Sequence, residues 1–504
     1  MGPLPGWRLV LIGLLAGPGL ALAAPRAVTQ SGVVVGVERG PAAIFKAVPY
    51  AAPPLGDLRW KPPEPAPVWA GERSAAAPGP GCPQPVGPLP NLGGYLGPIS
   101  EDCLTLDVTA PRAARHAPVM VWVYGGGNVA GATNLPSYDA VNFARDGVIL
   151  VAMNYRLGAL GFFAHPALTA EAPRDQPLVS YGLMDQIAAL NWVKRNIAAF
   201  GGDPNNVTLF GESAGGEDVL ALLSVQAAKG LFKRAIVQSG GGWSPTPGLA
   251  QREAQGVALA NRLGLPGAAA TVEALRALPV ERLLANAAET GIAVDGRLIK
   301  RGVTRAIAKG DVLPVPLIIG SNSNEASLMK AVGLTPTGLV GQMSPALRAA
   351  YATDGPGDDA LARADFNDRF MGGPARWIAR AASARAAAWL YYFSYVPERQ
   401  RGIRPGVNHA SEIPFVFDSL DAVPGRTPLI TSSERAAAAL AHACWVAFAR
   451  VGRPTCGPGP AWPTYRVDRD VLVDFGETAT IRQGFRKVEL DAQEAANADL
   501  IFGK

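Results

Sequence analysis

An α/β domain, with a mostly parallel central sheet and helices on both faces, is what this sequence of 504 residues predicts. Two observations carry the expectation. Apolar, β-branched runs at about 118–124, 148–154, 206–210, 234–238, 315–320 and 388–395 read as buried strands. They alternate with helical stretches, the order expected of a parallel sheet wrapped by helices. Between two of them, Tyr181 to Phe200 places Leu183, Ile187, Leu190, Val193 and Ile197 at three- and four-residue steps. That spacing makes one buried helix face, and Gly201-Gly202 ends it. The length alone would suggest several domains, but large α/β folds exceed that prior. No Ser/Gly linker, charge block or solenoid-period repeat divides the chain, so one domain over residues 24–504 is expected.

Residues 1–23 read as an export signal. Arg8 precedes Leu9-Val-Leu-Ile-Gly-Leu-Leu15, and the apolar run ends at Ala21-Leu22-Ala23, an A-x-A cleavage pattern. Pro18 and the glycines of this short core weaken the alternative, a membrane anchor. No later segment reaches the roughly 18 uninterrupted apolar residues that a stable membrane span requires. A secreted or periplasmic protein is therefore expected, and export permits disulfides. The net charge of +5 comes with no basic cluster and implies no nucleic-acid partner. The four cysteines contain no Cys-x-x-Cys pair and the four histidines no His-x-x-x-His pair, so no metal site is expected.

Chemistry enters at Gly211-Glu212-Ser213-Ala214-Gly215. Before it stands Asn206-Val-Thr-Leu-Phe210, a strand-like run; after it, Gly216-Glu-Asp-Val-Leu-Ala-Leu-Leu223 reads as a helix start. Strand, sharp turn and helix with serine at the apex form the nucleophile elbow of an α/β-hydrolase fold. Such a turn admits only very small side chains two positions either side of the serine, and Gly211 and Gly215 supply that room. The pentapeptide alone arises by chance in roughly one chain of this length in five to ten. Its setting and its partners give it weight.

In this fold the chain order is serine, acid, histidine, which leaves His409 and His442 as bases among the four histidines. His442 sits inside an Ala-rich helical run, Ser432 to Arg450, and reads as a packing residue. His409 lies in Gly406-Val-Asn-His-Ala-Ser-Glu-Ile-Pro414, a loop, where scaffolds carry their catalytic groups. The acid should follow a core strand between them. Val315-Pro-Leu-Ile-Ile-Gly320 runs into Ser321-Asn-Ser-Asn-Glu325, which favours Glu325; Asp295, in Val294-Asp-Gly-Arg297, is the rival and resembles a turn aspartate. Strand Pro118 to Tyr124 ends in Gly125-Gly126-Gly127, whose bare backbone amides suit an oxyanion hole, with the N–H of Ala214 as the remaining donor. A second triplet, Gly240-Gly241-Gly242, reads as a flexible turn beside the site. Acyl transfer by such a set needs no cofactor and no metal.

These residues carry a clear resemblance. The chain resembles the type-B carboxylesterases, the family of carboxylesterases, cholinesterases and bacterial p-nitrobenzyl esterases. The matching segments include Val48-Pro-Tyr to Arg59-Trp60, Glu101-Asp-Cys-Leu104, Trp122 to Gly127, Asn154-Tyr-Arg-Leu-Gly158, Gly182-Leu-Met-Asp-Gln186, Gly201 to Pro204 leading to the elbow, and Trp462-Pro-Thr-Tyr465. The resemblance implies Ser213 as nucleophile, Glu325 as acid, His409 as base, and Gly126, Gly127 and Ala214 as oxyanion donors. It implies a supporting network at Glu212, Ser239 and Glu412, although an ordinary structural hydrogen bond fits each as well. It also implies a first disulfide between Cys82 and Cys103, while Cys444 and Cys456 could pair locally.

The departures bear on substrate. The position after the glycine triplet, aromatic in many relatives, is Asn128. The loop from Cys82 to Cys103 lacks the tryptophan with which cholinesterases hold quaternary ammonium; Tyr95 is its only aromatic residue. Trp243 resembles an acyl-pocket residue, with a plain core tryptophan as a near-equal reading. The expected function is an exported serine esterase acting on small-molecule esters of small to medium size. A lipase is the runner-up within the enzyme class. A non-catalytic adhesion protein of this fold is disfavoured because Ser213, Glu325 and His409 are all present.

Overall fold

The computed structural model describes Gly2 and residues 24–85, 95, 97–286, 291–352, 354–355, 357–457 and 459–503. The expected export signal thus lies outside the described residues apart from Gly2. In chain order the strands are β1 (Arg26–Thr29), β2 (Gly32–Val35), β3 (Val37–Arg39), β4 (Ala42–Pro49), β5 (Glu72–Ser74), β6 (Thr105–Pro111), β7 (Ala117–Val123), β8 (Ile149–Met153), β9 (Gly202–Glu212), β10 (Arg234–Gln238), β11 (Leu317–Asn322), β12 (Ala388–Phe393), β13 (Val471–Phe475) and β14 (Ala479–Gln483). β1, β2 and β5 make a small sheet; the other eleven form one large sheet in the order β14-β13-β12-β11-β10-β9-β7-β8-β6-β4-β3.

Neighbours run parallel from β8 through β7, β9, β10, β11 and β12 to β13, and antiparallel at both edges. The composition explains this division. β7 is apolar without interruption, and Val119 to Val123 are fully buried, as befits a strand covered by helices on both faces. The edge strands β3 and β14 are largely exposed and carry Glu38, Arg39, Arg482 and Gln483, charged and polar residues that discourage pairing with another chain. All six strands expected from the sequence are present as β7 to β12, with β9 starting earlier, at Gly202.

The helix expected after Tyr181 spans Tyr181–Asn196, continues as a 3₁₀ turn to Phe200, and stops at Gly201 in the left-handed conformation. It carries Asp185, whose carboxylate takes a two-pronged bond from Arg156 at 2.7 and 2.8 Å inside the protein. Two of the sequence segments that matched the family are therefore the halves of one buried ion pair. A second pair, Arg59 and Glu101, closes the segment beside Cys103, with Arg59 also donating to the carbonyls of Arg276 and Leu278. Cys82 is bonded to Cys103, and Cys444 to Cys456, the pairing that the sequence left open. Among the described residues no helix is long and apolar enough to cross a membrane.

Candidate active site

The sheet order places the C-terminal ends of β7, β9, β10 and β11 side by side. The loops that follow them carry Gly125–Gly127, Ser213, Ser239 and Glu325, so the topology itself gathers the expected residues at one edge.

Ser213 sits between β9 and the helix Ala214–Leu223 at φ 55°, ψ −127°, a conformation that L-residues rarely adopt. The surrounding backbone holds it there. Its N–H donates to Gln238 O at 2.9 Å and its carbonyl accepts from Glu217 N at 2.9 Å. A Cβ on Gly211 would lie 2.5 Å from Gly215 O, and one on Gly215 would collide with the carbonyls of Val123 and Tyr124. The glycines flanking the serine are thus required by close backbone approach.

His409 and Glu325 meet as expected: His409 Nδ1 lies 2.6 Å from Glu325 Oε2. The other carboxylate oxygen, Oε1, accepts from Ser239 Oγ and from Asn322 N–H, both at 2.6 Å. With Nδ1 as the donor to Glu325, the neutral imidazole carries its lone pair on Nε2, the tautomer a general base needs. That nitrogen makes no hydrogen bond; it lies 3.0 Å from Glu212 Oε1, which likewise has no hydrogen-bond partner. The acid and base loops are laced together independently of the serine. Asn324 N donates to Val407 O at 2.8 Å, Asn324 Nδ2 to Asn408 Oδ1 at 2.7 Å, and His409 N to Ser327 Oγ at 3.0 Å.

The three expected supporting residues all join this cluster. Glu412, fully buried, accepts from Gln238 Nε2 at 2.9 Å and from Asn322 Nδ2, and Gln238 in turn accepts from Trp445 Nε1 at 3.0 Å. Burial pushes the Glu212 carboxyl up to about 8, its attraction to His409 being too weak to cancel that effect. Burial also raises Glu412 despite the amides bonded to it. Burial on its own would lower His409, but the negative charges of Glu212, Glu325 and Glu412 outweigh it and carry the imidazole to about 9. Three carboxyl groups around one imidazole favour its cationic form, the form that develops as a serine is deprotonated.

Gly126 and Gly127 have φ of 104° and 65°, and their N–H groups bond no acceptor among the described residues. Ala214 opens its helix, where amides lack intrahelical acceptors. A cavity of about 160 Å³ opens along the helix Ala214–Leu223, lined by Glu217, Leu220, Gly240, Gly242, Ser244 and Thr246 among others and not by Ser213 or His409.

The remaining expectations are redistributed. His442 is buried in the helix Ser432–Val451, with Nδ1 on Val416 O at 2.8 Å and its ring against Phe143. Asp295 is the turn residue it resembled, accepting from Leu178, Arg297 and Ile299 N–H. Asn128 does not offer its amide to the pocket: it is 4% exposed and donates to Asp218 Oδ1 at 3.2 Å. Trp243 takes its place in the main core, edge-on to Trp377. Gly240–Gly242 is buried, and Gly240 abuts the backbone of Gly216, an approach possible because neither residue has a Cβ. Sequence reasoning missed Gln238, Asn322, Asn408 and Asp218. Gln238 had a visible signal, a lone polar side chain at the C-terminal end of an apolar run.

The mostly parallel sheet, the strained serine and the histidine–carboxylate pair define an α/β-hydrolase. The carboxylesterase family model matches residues 23–356 and 358–493. The chain belongs to the carboxylesterase family, whose members are serine esterases, and it is a carboxylic-ester hydrolase. It is 36% identical over 481 residues to a fumonisin B1 esterase of Sphingopyxis macrogoltabida, covering 90% of this chain and 87% of the relative. It is also 36% identical over 477 residues to the para-nitrobenzyl esterase of Bacillus subtilis (strain 168), covering 88% and 94%. Among solved structures it is similar to a PNB esterase, with TM-score 0.81 and 32% identity over 95% of this chain and 99% of the other.

Proposed function

We propose that this chain is an exported serine carboxylesterase in which Ser213, His409 and Glu325 act as nucleophile, base and acid on small to medium apolar esters. The observation that carries the reading is the 2.6 Å contact between Glu325 Oε2 and His409 Nδ1, which leaves Nε2 of the neutral imidazole free to accept a proton. His409 Nε2 takes the Ser213 proton as Oγ attacks the ester carbonyl. The negative charge passes to the carbonyl oxygen, where the amides of Gly126, Gly127 and Ala214 receive it. Glu325 stabilises the imidazolium without itself taking the proton. The imidazolium protonates the departing alcohol, and water then attacks the acyl-enzyme by the same route.

Export rests on the N-terminal sequence pattern and is compatible with the two disulfides. The preference for modest acyl groups rests on the small cavity along the helix that follows Ser213, lined by Glu217 and Leu220. The names of the relatives cover chemically different esters, so they favour no single substrate. The decisive experiment pairs a fluorophosphonate probe with p-nitrophenyl acetate and butyrate. The expected result is stoichiometric labelling with loss of esterase activity, and neither labelling nor turnover in Ser213→Ala. Turnover by a folded Ser213→Ala protein would end this reading.

A further inference from the structure

The sequence Gly126-Gly127-Asn128 holds three consecutive residues in positive φ, at 104°, 65° and 57°. The third is not a glycine, so something must hold it there. Its backbone carbonyl accepts from Gly158 N at 2.7 Å, and its side chain reaches Asp218 at 3.2 Å. Asp218 is completely buried, and its second oxygen accepts from Gln186 Nε2 at 2.5 Å. No lysine, arginine or histidine pairs with this carboxyl group among the described residues; two side-chain amides are its partners. Burial accordingly raises it to about 7 against the pull of those amides.

A buried carboxyl group without a cation is a destabilising choice for a helix interior, and its place explains what it does. Asp218 stands four residues after Ala214, one turn along the same helix face. Asn128 follows directly on Gly126 and Gly127. One contact therefore joins the loop bearing two amides to the helix bearing the third, and Gln186 anchors it to the helix Tyr181–Asn196 behind. We propose that Asp218 is a positioning residue for the reaction, bracing the Gly126–Gly127 loop against the Ala214 helix through Asn128 so that the three amides converge on one point. The proposal rests on the reading of those amides as oxyanion donors.

The reaction needs these donors most in the tetrahedral state, so the brace acts on kcat and on mimics of that state. The test uses the whole protein, Asp218→Asn and Asn128→Gly, and an alkyl trifluoromethyl ketone that forms a tetrahedral adduct with the serine. Active sites are counted by burst titration so that misfolded protein is excluded. Each variant is expected to lose about tenfold or more in kcat with KM within about twofold. That is part of the roughly hundredfold that losing a whole donor costs. The ketone inhibition constant should weaken by the same factor as kcat/KM. Asn128→Gly is the sharper variant, because glycine accepts φ 57° more readily than asparagine; were backbone conformation the whole matter, it would be neutral or faster.

The double variant should lose no more than the worse single one, since both remove one contact. Unchanged kcat in Asn128→Gly, additive losses in the double variant, or a ketone constant that stays fixed while kcat falls would overturn the proposal. If Asp218→Asn fails to fold, Asn128→Gly alone decides. If the parent enzyme binds the ketone no more tightly than the unfluorinated ketone, the oxyanion reading fails instead.

Discussion

His409 is flanked by two carboxylates, and they do different things. Glu325 holds Nδ1 through a short hydrogen bond, whereas Glu212 approaches Nε2 at 3.0 Å without forming one. At that distance Glu212 and the imidazole titrate as a coupled pair, and the step at which a proton leaves belongs to the pair. The active form has a neutral imidazole, so kcat/KM should rise as pH increases through the apparent pKa of that pair. Its members are raised, Glu212 to about 8 and His409 to about 9. Glu212→Gln removes a negative charge that favours the imidazolium, and the ascending limb should move to lower pH. A pH profile of kcat/KM for the two enzymes checks this; an unmoved limb would show that Glu212 does not set the charge of His409. At the same scale, His409→Ala should lower kcat by about three orders of magnitude or more. His442→Ala should not, because its Nδ1 is engaged by Val416 O and its Nε2 faces Asp146 at 3.1 Å. The reverse pattern in steady-state kinetics would reassign the base.

The elements place these residues through backbone rather than side chains. Gly127 shows how. A Cβ there would find open space, its nearest neighbour being Val129 Cγ2 at 3.7 Å, yet φ is 65°. Gly127→Val should therefore act by forcing the loop out of its left-handed conformation, not by crowding. Displacing its amide should cost about 3 kcal/mol of transition-state stabilisation, or roughly a hundredfold in kcat. Steady-state kinetics on the folded variant decide it, and full turnover would remove this loop from the mechanism. The elements that were legible in the sequence are those buried on both faces, β7 to β12 and the helix Tyr181–Asn196, because double burial leaves an unbroken apolar run or a clear helical period. The antiparallel strands flanking this core were not. β6, Thr105-Leu-Asp-Val-Thr-Ala-Pro111, mixes polar and apolar residues that only its partners β4 and β8 bury. In the candidate site, the proposed Ser213, Glu325 and His409 could be picked out from chain order and loop position. Asp218 could not, because a lone aspartate in a helix looks solvated until the chain packing closes over it.

Across the whole molecule, the link from Cys82 to Cys103 ties the N-terminal segment to β6, and the Arg59–Glu101 pair ties that junction to the carbonyls of Arg276 and Leu278. Reducing it should destabilise the protein by about 3 kcal/mol in the chain-entropy model, read as a lower midpoint of denaturant unfolding for Cys82→Ser/Cys103→Ser. An unchanged midpoint would show that the surrounding packing alone holds this segment. Substrate choice is also set at this scale, since the walls of the pocket come from distant loops. Tyr95, the only aromatic residue of the Cys82–Cys103 loop, is 4% exposed with its hydroxyl bonded to Pro98 O. A quaternary ammonium thus gains no aromatic face from it, a contact worth roughly 0.5–2 kcal/mol. Uncharged butyrates should be preferred to butyrylcholine by about tenfold or more in kcat/KM, and a choline preference would refute this view of the loop. The carboxylate and imidazole that meet at 2.6 Å stand 84 residues apart in the chain, and the serine precedes both. If Ser213 and His409 act as proposed, a ribosome must translate past residue 409 before the nucleophile has its base. On that reading, a fragment that stops short of residue 409 lacks the proposed base and should cleave no esters.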